Sequence, residues 1–392
     1  MQKKIIALAV AGLVSGAAFA QSNVTIYGIV DAGFSSASGK VAQNVTGQPT
    51  TKSGRVNGID SGLLSGSRIG FRGTEDLGGG LKAVFTLEYG LSVDDNTGVG
   101  VGALTTARQQ YVGLAGGFGT VVAGRLQTPG YDWAVKYDAN ASSAFSVQHI
   151  MRSAAGGTLH AASRVNNGAA YISPSFSGLT VKAAYAFGEQ DGVVNTTAPS
   201  VAGSSEDKTG VLALSADYEV GPLAAGLVYH RQSNIMSRTT APSPLHNEDD
   251  QTEWGLAASY NFGMVTPYAS YSRRSYDFAN APTLDTYKDK IWAVGVRVPA
   301  GNGSFYAQYA RQTGDNQNRT TGANLAAGLT NASKGWGVGY THSMSKRTTA
   351  YAGYARVAYD DGAQVRAASF GGLATLADEK YSRLVAGVRH SF

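Results

Sequence analysis

The sequence predicts an all-β fold, a 16-stranded antiparallel transmembrane β-barrel, and three observations support this prediction. Apolar and polar residues alternate at a period of two in most candidate strands, as in strands with one apolar face. Short glycine-rich turns alternate with long polar connections, which is the pattern of an up-and-down barrel. Beyond the amino-terminal region, no segment approaches the roughly 18 consecutive apolar residues of a membrane helix. This excludes helical spans, but it allows strands whose alternate residues face a lumen.

The amino terminus has the features of a secretory signal peptide. Two lysines precede an apolar run over residues 5–14, and a small-residue cleavage motif ends at Ala20. The apolar run is too short for a permanent membrane helix. We therefore expect residues 1–20 to be a signal peptide and residues 21–392 to form one barrel domain. The expected location is the outer membrane of a Gram-negative bacterium.

Sixteen segments have the character of strands, and their number is even, as in bacterial single-chain barrels. Successive segments are joined alternately by long polar connections and by tight turns rich in glycine, proline or serine, and such turns favour hairpins. The alternation of apolar and polar residues is poor in two segments, 119–126 and 265–276, whose faces stay unassigned. The predicted strands are 24–34, 66–75, 81–91, 108–115, 119–126, 168–173, 179–188, 211–220, 223–232, 253–262, 265–276, 290–298, 304–312, 335–344, 347–359 and 380–392.

The last predicted strand shows the alternation clearly. Its apolar face carries Leu384, Ala386, Val388, His390 and Phe392. Its opposite face carries Arg383 and Arg389, so we expect that face to be in water. Phe392 is expected to stand in an aromatic girdle and to act as a signal for assembly. Taken alone, this segment also fits the edge of a soluble β-sandwich, but a sandwich gives no reason for aromatic residues at both ends of strand after strand.

The composition limits the possible classes of protein. The chain has no cysteine, so disulfides cannot stabilise it. Its 51 glycines and 21 tyrosines suit a β protein with many turns and aromatic belts. Without the two lysines of the signal peptide, the formal charge is 32 − 2 − 27 = +3. No basic stretch with interleaved aromatic residues is present, so we expect no nucleic-acid partner.

Several blocks of sequence resemble a known family, the general porins of β-proteobacteria, which includes neisserial, bordetellar and comamonad porins. The blocks are SNVTIYGIVDA at 22–32, SRIGFRGTEDLGGGLKA at 67–83, YVGL at 111–114, FGTVVAGR at 118–125 and GVRHSF at 387–392. They span the mature chain from end to end, and together they are specific. The resemblance implies a homotrimeric, 16-stranded porin whose third long loop folds into each barrel and narrows it. The implied function is passive diffusion of ions and small hydrophilic solutes through a water-filled channel.

The resemblance also implies which residues form the pore constriction. The family's basic constriction residues fall on Arg68, Arg108 and Arg164. Periodicity agrees for Arg68, but Arg108 has the parity of apolar neighbours and the face of Arg164 is not readable. The third long loop, between residues 125 and 166, supplies Asp132 and Asp138 as acidic constriction residues.

Fixed arginines that face loop carboxylates across water would create a transverse field, and an excess of positive charge would favour anions. We therefore predict weak anion selectivity. Further basic residues expected in the lumen are Arg72, Lys82, Arg297, Arg383 and Arg389.

Three other functions stay open at this point. An outer-membrane enzyme is disfavoured because no nucleophile-elbow motif or metalloprotease motif is present, and the six histidines have no metal-ligand spacing. An adhesin could use the long loops in addition to a pore. A substrate-specific channel could use inward tyrosines, with Tyr268, Tyr306 and Tyr354 as candidates. We expect no cofactor and no metal; the expected partners are two further copies of the chain, outer-membrane lipid and lipopolysaccharide, small hydrophilic solutes and anions.

Overall fold

The computed structural model describes residues 23–45, 48–95, 107–154, 163–187, 210–233, 250–277, 286–316, 332–359 and 380–392. In these ranges the chain forms 17 strand segments and two short helices. The strands are β1 (Asn23–Val45), β2 (Gln48–Ser61), β3 (Arg68–Gly78), β4 (Leu81–Gly90), β5 (Ala107–Gly116), β6 (Gly119–Gln127), β7 (Arg164–Ile172), β8 (Leu179–Phe187), β9 (Gly210–Val220), β10 (Leu223–Ser233), β11 (Asp250–Tyr260), β12 (Thr266–Asp277), β13 (Thr286–Ala300), β14 (Gly303–Asn316), β15 (Ser333–Ser343), β16 (Thr348–Tyr359) and β17 (Lys380–Ser391). The helices α1 (Pro129–Lys136) and α2 (Val147–Ala154) lie between β6 and β7.

The sheet is a closed antiparallel barrel. From β3 onward each strand pairs with the next, and β17 pairs with β1 from Ile29↔Ser391 to Ser38↔Ser382. Closure satisfies the backbone hydrogen bonds of both edges, which is necessary for strands that lie in lipid. The predicted barrel fold is therefore confirmed.

The 17 segments occupy 16 positions in the barrel wall. Along one edge of β1, residues 32–45 pair with β2 and residues 23–29 pair with β3. β2 and β3 thus run in the same direction as two parts of one wall strand, interrupted at residues 62–67. The sequence predicted shorter strands here, 24–34 and 66–75, because the polar, glycine-rich extension of the β1–β2 hairpin does not alternate.

The burial pattern is the reverse of that in a soluble protein. On β9, Leu212 and Leu214 are exposed, whereas Ala213 and Ser215 are buried. Arg274, a charged residue on β12, is only 1% exposed. We call the face with the exposed large apolar side chains the outer face and the opposite one the inner face. An apolar outer face on a closed barrel is suited to lipid and would be unstable in water. The alternative fold, a soluble β-sandwich, is therefore excluded.

Aromatic residues of the outer face form belts at both ends of the barrel. At the end with the long connections, tryptophan packs on tyrosine with centroids 5.4–5.5 Å apart in the pairs Trp254–Tyr271, Trp292–Tyr309 and Trp336–Tyr354. At the end with the short turns, the pairs are Tyr260–Phe262 and Phe305–Tyr340. Tyr354 is therefore on the outer face, and the sequence-based suggestion that it points inward is wrong.

Phe392 seals the seam where the barrel closes. Its backbone N–H donates to Gly28 O at 3.1 Å, and Gly28 N–H donates to Phe392 O at 3.2 Å. The phenyl ring lies over Gly28 on the outer face. This position fits the expected girdle, while the role of Phe392 in assembly stays a prediction.

No helix in the described ranges is long and apolar enough to cross a membrane. The predicted signal peptide, residues 1–20, lies outside the described residues and stays a prediction.

Candidate functional site

The connection between β6 and β7 is a built structure with a defined beginning. Thr128 caps α1, because its hydroxyl oxygen accepts a hydrogen bond from Tyr131 N–H at 3.3 Å, and Pro129 occupies the first turn. Asp132 lies in this first turn, where the positive end of the helix dipole favours a carboxylate. We call residues 128–154 the internal segment, because their contacts are made with the inner face.

Helix α1 is attached to β9 and β10. The indole N–H of Trp133 donates to Gly226 O at 3.1 Å, and the Tyr137 hydroxyl donates to Asp217 at 3.2 Å. Gly226 is required by this approach, since a Cβ there would lie 2.5 Å from the Tyr137 ring. At the helix start, Gly130 N–H donates to the His230 ring at 3.0 Å. These bonds and the burial of both rings fix α1 against one side of the barrel.

Helix α2 and the turn before it are attached to β12 and β14–β16. Phe145 is fully buried and fills the space left by Gly353, where any Cβ would overlap its ring. The buried Arg152 donates to the Ser272 hydroxyl at 3.1 Å. Burial lowers the pKa of Arg152 to about 10, so its guanidinium still carries its charge at neutral pH.

Asp138 lies under the internal segment, where it is 1% exposed. Its carboxylate accepts hydrogen bonds from Asn140 N–H and Gln308 Nε2, each at 2.9 Å, and from the Ser146 hydroxyl at 2.5 Å. Burial raises its pKa, and the hydrogen bonds from Ser146 and Asn140 lower it in part. The structure therefore places Asp138 as an anchor between the internal segment and β14, away from the water where the sequence analysis expected it.

Asp132 has the opposite surroundings. Its carboxylate accepts hydrogen bonds from Lys182 Nζ at 2.8 Å and from Gln127 Nε2 at 2.5 Å. It lines a cavity of about 560 Å³ that also borders Arg72 and Gln109. Of the two loop acids, Asp132 is thus the one that faces open space.

Arg68 and Arg108 meet at Glu88. Arg108 Nε is 2.7 Å from Glu88 Oε1, and Arg68 Nε is 3.7 Å from Glu88 Oε2. Tyr27 donates to the same carboxylate at 3.1 Å. Arg108 reaches the inner face because of a β-bulge: Glu88 pairs with Gln109 and Tyr89 with Ala107, so Arg108 is an extra residue in the ladder. The bulge removes the conflict between the position of Arg108 and the parity of its apolar neighbours.

Arg164 completes the basic group. Its guanidinium lies 5.0 Å from the centre of the Tyr131 ring and donates to Gln127 Oε1 at 3.2 Å. Arg108 is close enough to repel both Arg68 and Arg164 electrostatically. The structure therefore brings together the three arginines that the resemblance singled out, at the starts of β3, β5 and β7.

The other predicted lumen charges are dispersed. Arg72 and Lys82 are exposed on the inner face, and Arg72 lies over the Tyr27 ring at 5.2 Å. Arg297 packs over Tyr306 at 5.1 Å and donates to Ala139 O of the internal segment at 3.3 Å.

Arg383 and Arg389 both lie on β17. Arg383 is buried and pairs with Asp60 at 3.0 Å. Arg389 stands opposite Asp31 in the β1–β17 register. Only some of the predicted basic residues are thus accessible to a solute. Arg383 is not among them, because it is buried in its ion pair with Asp60.

One structural feature was missed by sequence reasoning. The Asp31 carboxylate accepts hydrogen bonds from Leu64 N–H at 2.8 Å, Ser65 N–H at 2.6 Å and the Tyr351 hydroxyl at 2.6 Å. It thereby holds residues 62–67, and Leu63 O in that stretch accepts a hydrogen bond from Ala144 N–H at 2.8 Å. The wall interruption is therefore a second support for the internal segment. An acidic residue on the inner face of the opening strand was the available signal.

No group of three or more histidine, cysteine, aspartate or glutamate side chains in the described ranges is placed to hold a metal ion. The ionic side chains around the internal segment pair with one another, as Arg274 does with Asp289 at 3.2 Å.

Comparison with known proteins identifies the family. Residues 7–362 match the model of the Gram-negative porin family. Outer membrane porin protein 32 of Delftia acidovorans is 30% identical over the whole of both chains, and an outer membrane porin protein of Bordetella pertussis is 26% identical over the whole of both. The solved structure of the anion-selective porin from Comamonas acidovorans is 28% identical, with a TM-score of 0.72 over 95% of this chain and 100% of that one.

These likenesses agree with the closed barrel and its apolar outer face. They confirm the location predicted from the sequence, the outer membrane of a Gram-negative bacterium. The family consists of channels, and its members in the comparison are named as porins. The chain belongs to the Gram-negative porin family.

Proposed function

We propose that this porin is a water-filled, weakly anion-selective diffusion channel whose narrowest part lies between the basic wall group and the internal segment. The basic wall group consists of Arg68, Arg108, Arg164 and Glu88. Its formal charge is 3 − 1 = +2, and this excess is the observation that carries the proposal. Guanidinium groups keep their charge at any physiological pH, so the excess does not depend on titration.

The internal segment is proposed to cross the lumen and to narrow it. Most of its attachments lie on β9–β16, with further contacts at Leu63 and Lys182. The basic wall group and the cavity of about 560 Å³ lie on the side of β3–β8. On the segment side, the charge that faces this space is Asp132, which Lys182 balances at 2.8 Å. An ion in the gap would therefore pass a wall with net positive charge and a helix that contributes little net charge.

Two further observations support the sign of the selectivity. The structurally similar porin from Comamonas acidovorans is described as anion-selective. Glu88 is buried and forms an ion pair with Arg108, so its negative charge interacts with the arginines more strongly than with an ion in the pore.

The test is the reversal potential of purified protein in planar bilayers under a gradient of KCl. We expect stepwise conductance and a reversal potential with the sign for chloride permeation. A reversal potential of the opposite sign would refute anion selectivity, and the absence of conductance would refute the channel. Swelling of liposomes in neutral sugars of increasing size separates a general pore, which has a size limit, from an adhesin with a plugged barrel, which admits none.

We also propose a homotrimer in contact with outer-membrane lipid and lipopolysaccharide. Small and apolar residues are exposed on the outer face near the seam, among them Ala386 and Val388, and another barrel could pack there. Light scattering in detergent should give three chains per particle; a single chain per particle would refute the trimer. Lipopolysaccharide should co-purify with protein extracted from its own membrane, and lipid-free particles would contradict that contact. We propose no catalytic role for the buried polar groups of the internal segment, because their hydrogen bonds hold the segment on the inner face.

A further inference from the structure

The inner wall of β4–β8 carries an apolar row that crosses five strands. The cross-strand register aligns Val84, Gly113, Val122, Ala170 and Ala184 side by side. All of them except Gly113 line the cavity of about 560 Å³. An inner face that borders water is expected to be polar, so a continuous apolar row there is a specific feature of this pore. We call these five residues the apolar row.

The apolar row is closely packed at its centre. Gly113 lies between Val84 and Val122, and the Val122 side chain covers it, because a Cβ at Gly113 would lie 2.7 Å from Val122 Cγ1. Val84 packs against the same apolar cluster, so the row presents a continuous apolar surface. Tyr111 and Leu126 extend the apolar surface on the side of the long connections. The volume of the cavity lies within the range of about 300–1,000 Å³ that is usual for small-molecule sites.

Basic groups border the same cavity. Arg72 is exposed, and it lies diagonally across from Val84, since the register pairs Arg72 with Thr86 and Thr74 with Val84. Diagonal neighbours of this kind are about 7–8 Å apart, with their Cβ atoms somewhat closer, a distance that one small ring can bridge. Lys182 also lines the cavity, although Asp132 already neutralises it.

We propose that the apolar row and Arg72 form a binding subsite for carboxylates that carry an apolar ring, with the ring on the apolar row beside Val84 and the carboxylate on Arg72. This inference rests on the proposed channel and names a class of solute for it. A guanidinium offers two parallel donors to a carboxylate. A small hydrophilic carboxylate gains only this ionic contact, whereas a ring also removes apolar wall surface from water. Burial of about two methylene equivalents should raise affinity roughly tenfold.

The experiment compares benzoate with acetate in single-channel recordings of the purified porin in KCl. Both are monoanions, so a charge effect is common to them. We expect benzoate to reduce the open-channel current with a half-blocking concentration about tenfold below that of acetate. Equal concentrations for the two anions, in channels that conduct KCl normally, would overturn this inference and leave the proposed channel intact; channels that fail to conduct KCl at all would instead refute the proposed function.

Variants locate the subsite. The double change Val84→Thr and Val122→Thr keeps the shape of the side chains and adds two hydroxyls, so it should remove most of the preference for benzoate. Val121→Thr is the matched control, because Val121 lies next to Val122 on the outer face. Arg72→Gln should weaken the block by both anions. A preference for benzoate that survives the double change would overturn the assignment to the apolar row, and KCl conductance of each variant shows that its barrel has formed.

Discussion

The charge of the basic wall group can be changed in both directions, which gives a quantitative test of selectivity. Arg108→Gln lowers the formal charge from +2 to +1, because it removes one of the three arginines. Glu88→Gln raises it from +2 to +3. The double variant has Arg68 and Arg164 without Glu88, so its charge returns to +2. The two single changes should therefore shift selectivity in opposite directions, and the double variant should resemble the parent.

The magnitude follows from Coulomb's law. A small ion that passes about 6 Å from the altered charge interacts with it by about 0.7 kcal/mol in water. Screening at about 0.1 M salt reduces this to about 0.4 kcal/mol. Since anions and cations respond with opposite signs, the chloride-to-potassium permeability ratio should change by about 0.8 kcal/mol, which is about fourfold per charge.

The assay is the reversal potential in a KCl gradient, measured for the parent and all three variants. Arg311→Gln is the matched control, because Arg311 is exposed on the outer face near the same end of the barrel. We expect the permeability ratio to rank Glu88→Gln highest, the parent and the double variant together, and Arg108→Gln lowest.

A permeability ratio that Arg108→Gln leaves unchanged would show that Arg108 does not interact with permeating ions, and it would refute the proposed role of the bulge. A second refuting result is a double variant that matches Arg108→Gln alone. In that case the effect would come from the shape of the constriction and not from its charge.

Three further predictions concern the internal segment. Gly353→Val should displace the ring of Phe145, at a cost of about 1–3 kcal/mol, and should increase the open-channel noise in single-channel records. Asp138→Ala should loosen the segment by leaving buried donors unpaired, at about 1–3 kcal/mol, whereas Asp138→Asn should retain most of the parent's steady current. Burial, and then the charge of Arg152, lowers the pKa of His149 to about 4. The anchored segment therefore binds fewer protons than a released segment, whose histidine has a pKa of about 6.5. The anchoring should weaken as the pH falls from about 6.5 towards 4. At pH 5 the free energy that anchors the segment should be lower by about 2 kcal/mol. Single-channel records should therefore show more frequent channel closures at pH 5 than at pH 7, and the His149→Gln variant should not show this increase.

The barrel is predictable from the sequence because lipid requires an apolar outer face on every strand. A whole face of exposed large apolar residues such as Leu212 and Leu214 is stable only where the solvent is apolar, so period-two patterns and aromatic ends reveal the faces directly. The same rule fails where lipid is absent. The β1–β2 hairpin extends past Phe34 with polar, glycine-rich residues, and nothing in their pattern separates a strand from a loop.

The candidate site was predicted by resemblance more than by physics. The alternation of residues predicted that Arg108 faces outward with its apolar neighbours. A bulge of one residue places it on the inner face instead. A bulge depends on the register of two strands, and single-sequence periodicity does not contain the register. Arg68 needed no such correction, because its strand alternates regularly from its first residue.

Asp132 and Asp138 show a second limit of sequence reasoning. Both are acids of one loop, six positions apart, and both suit a pore. Helix α1 places Asp132 in its first turn beside Lys182, whereas Asp138 follows the helix and turns towards Gln308. Their separate fates depend on the path of the segment, which is set by partners on strands far along the chain.

The inner face of the barrel is divided between two kinds of residue, and this division explains how one loop can make a stable pore. Glycines on the β10–β16 side lie beneath the rings of the internal segment, as Gly226 does beneath Tyr137 and Gly353 beneath Phe145. A side chain at either position would collide with a ring, so these glycines determine where the segment can rest. On the β3–β7 side, the arginines and Glu88 would be costly to desolvate, and the segment meets them at its start, where Tyr131 packs on Arg164. The segment therefore rests mainly where glycines leave room for its rings, and the cavity lies on the side of the basic wall group.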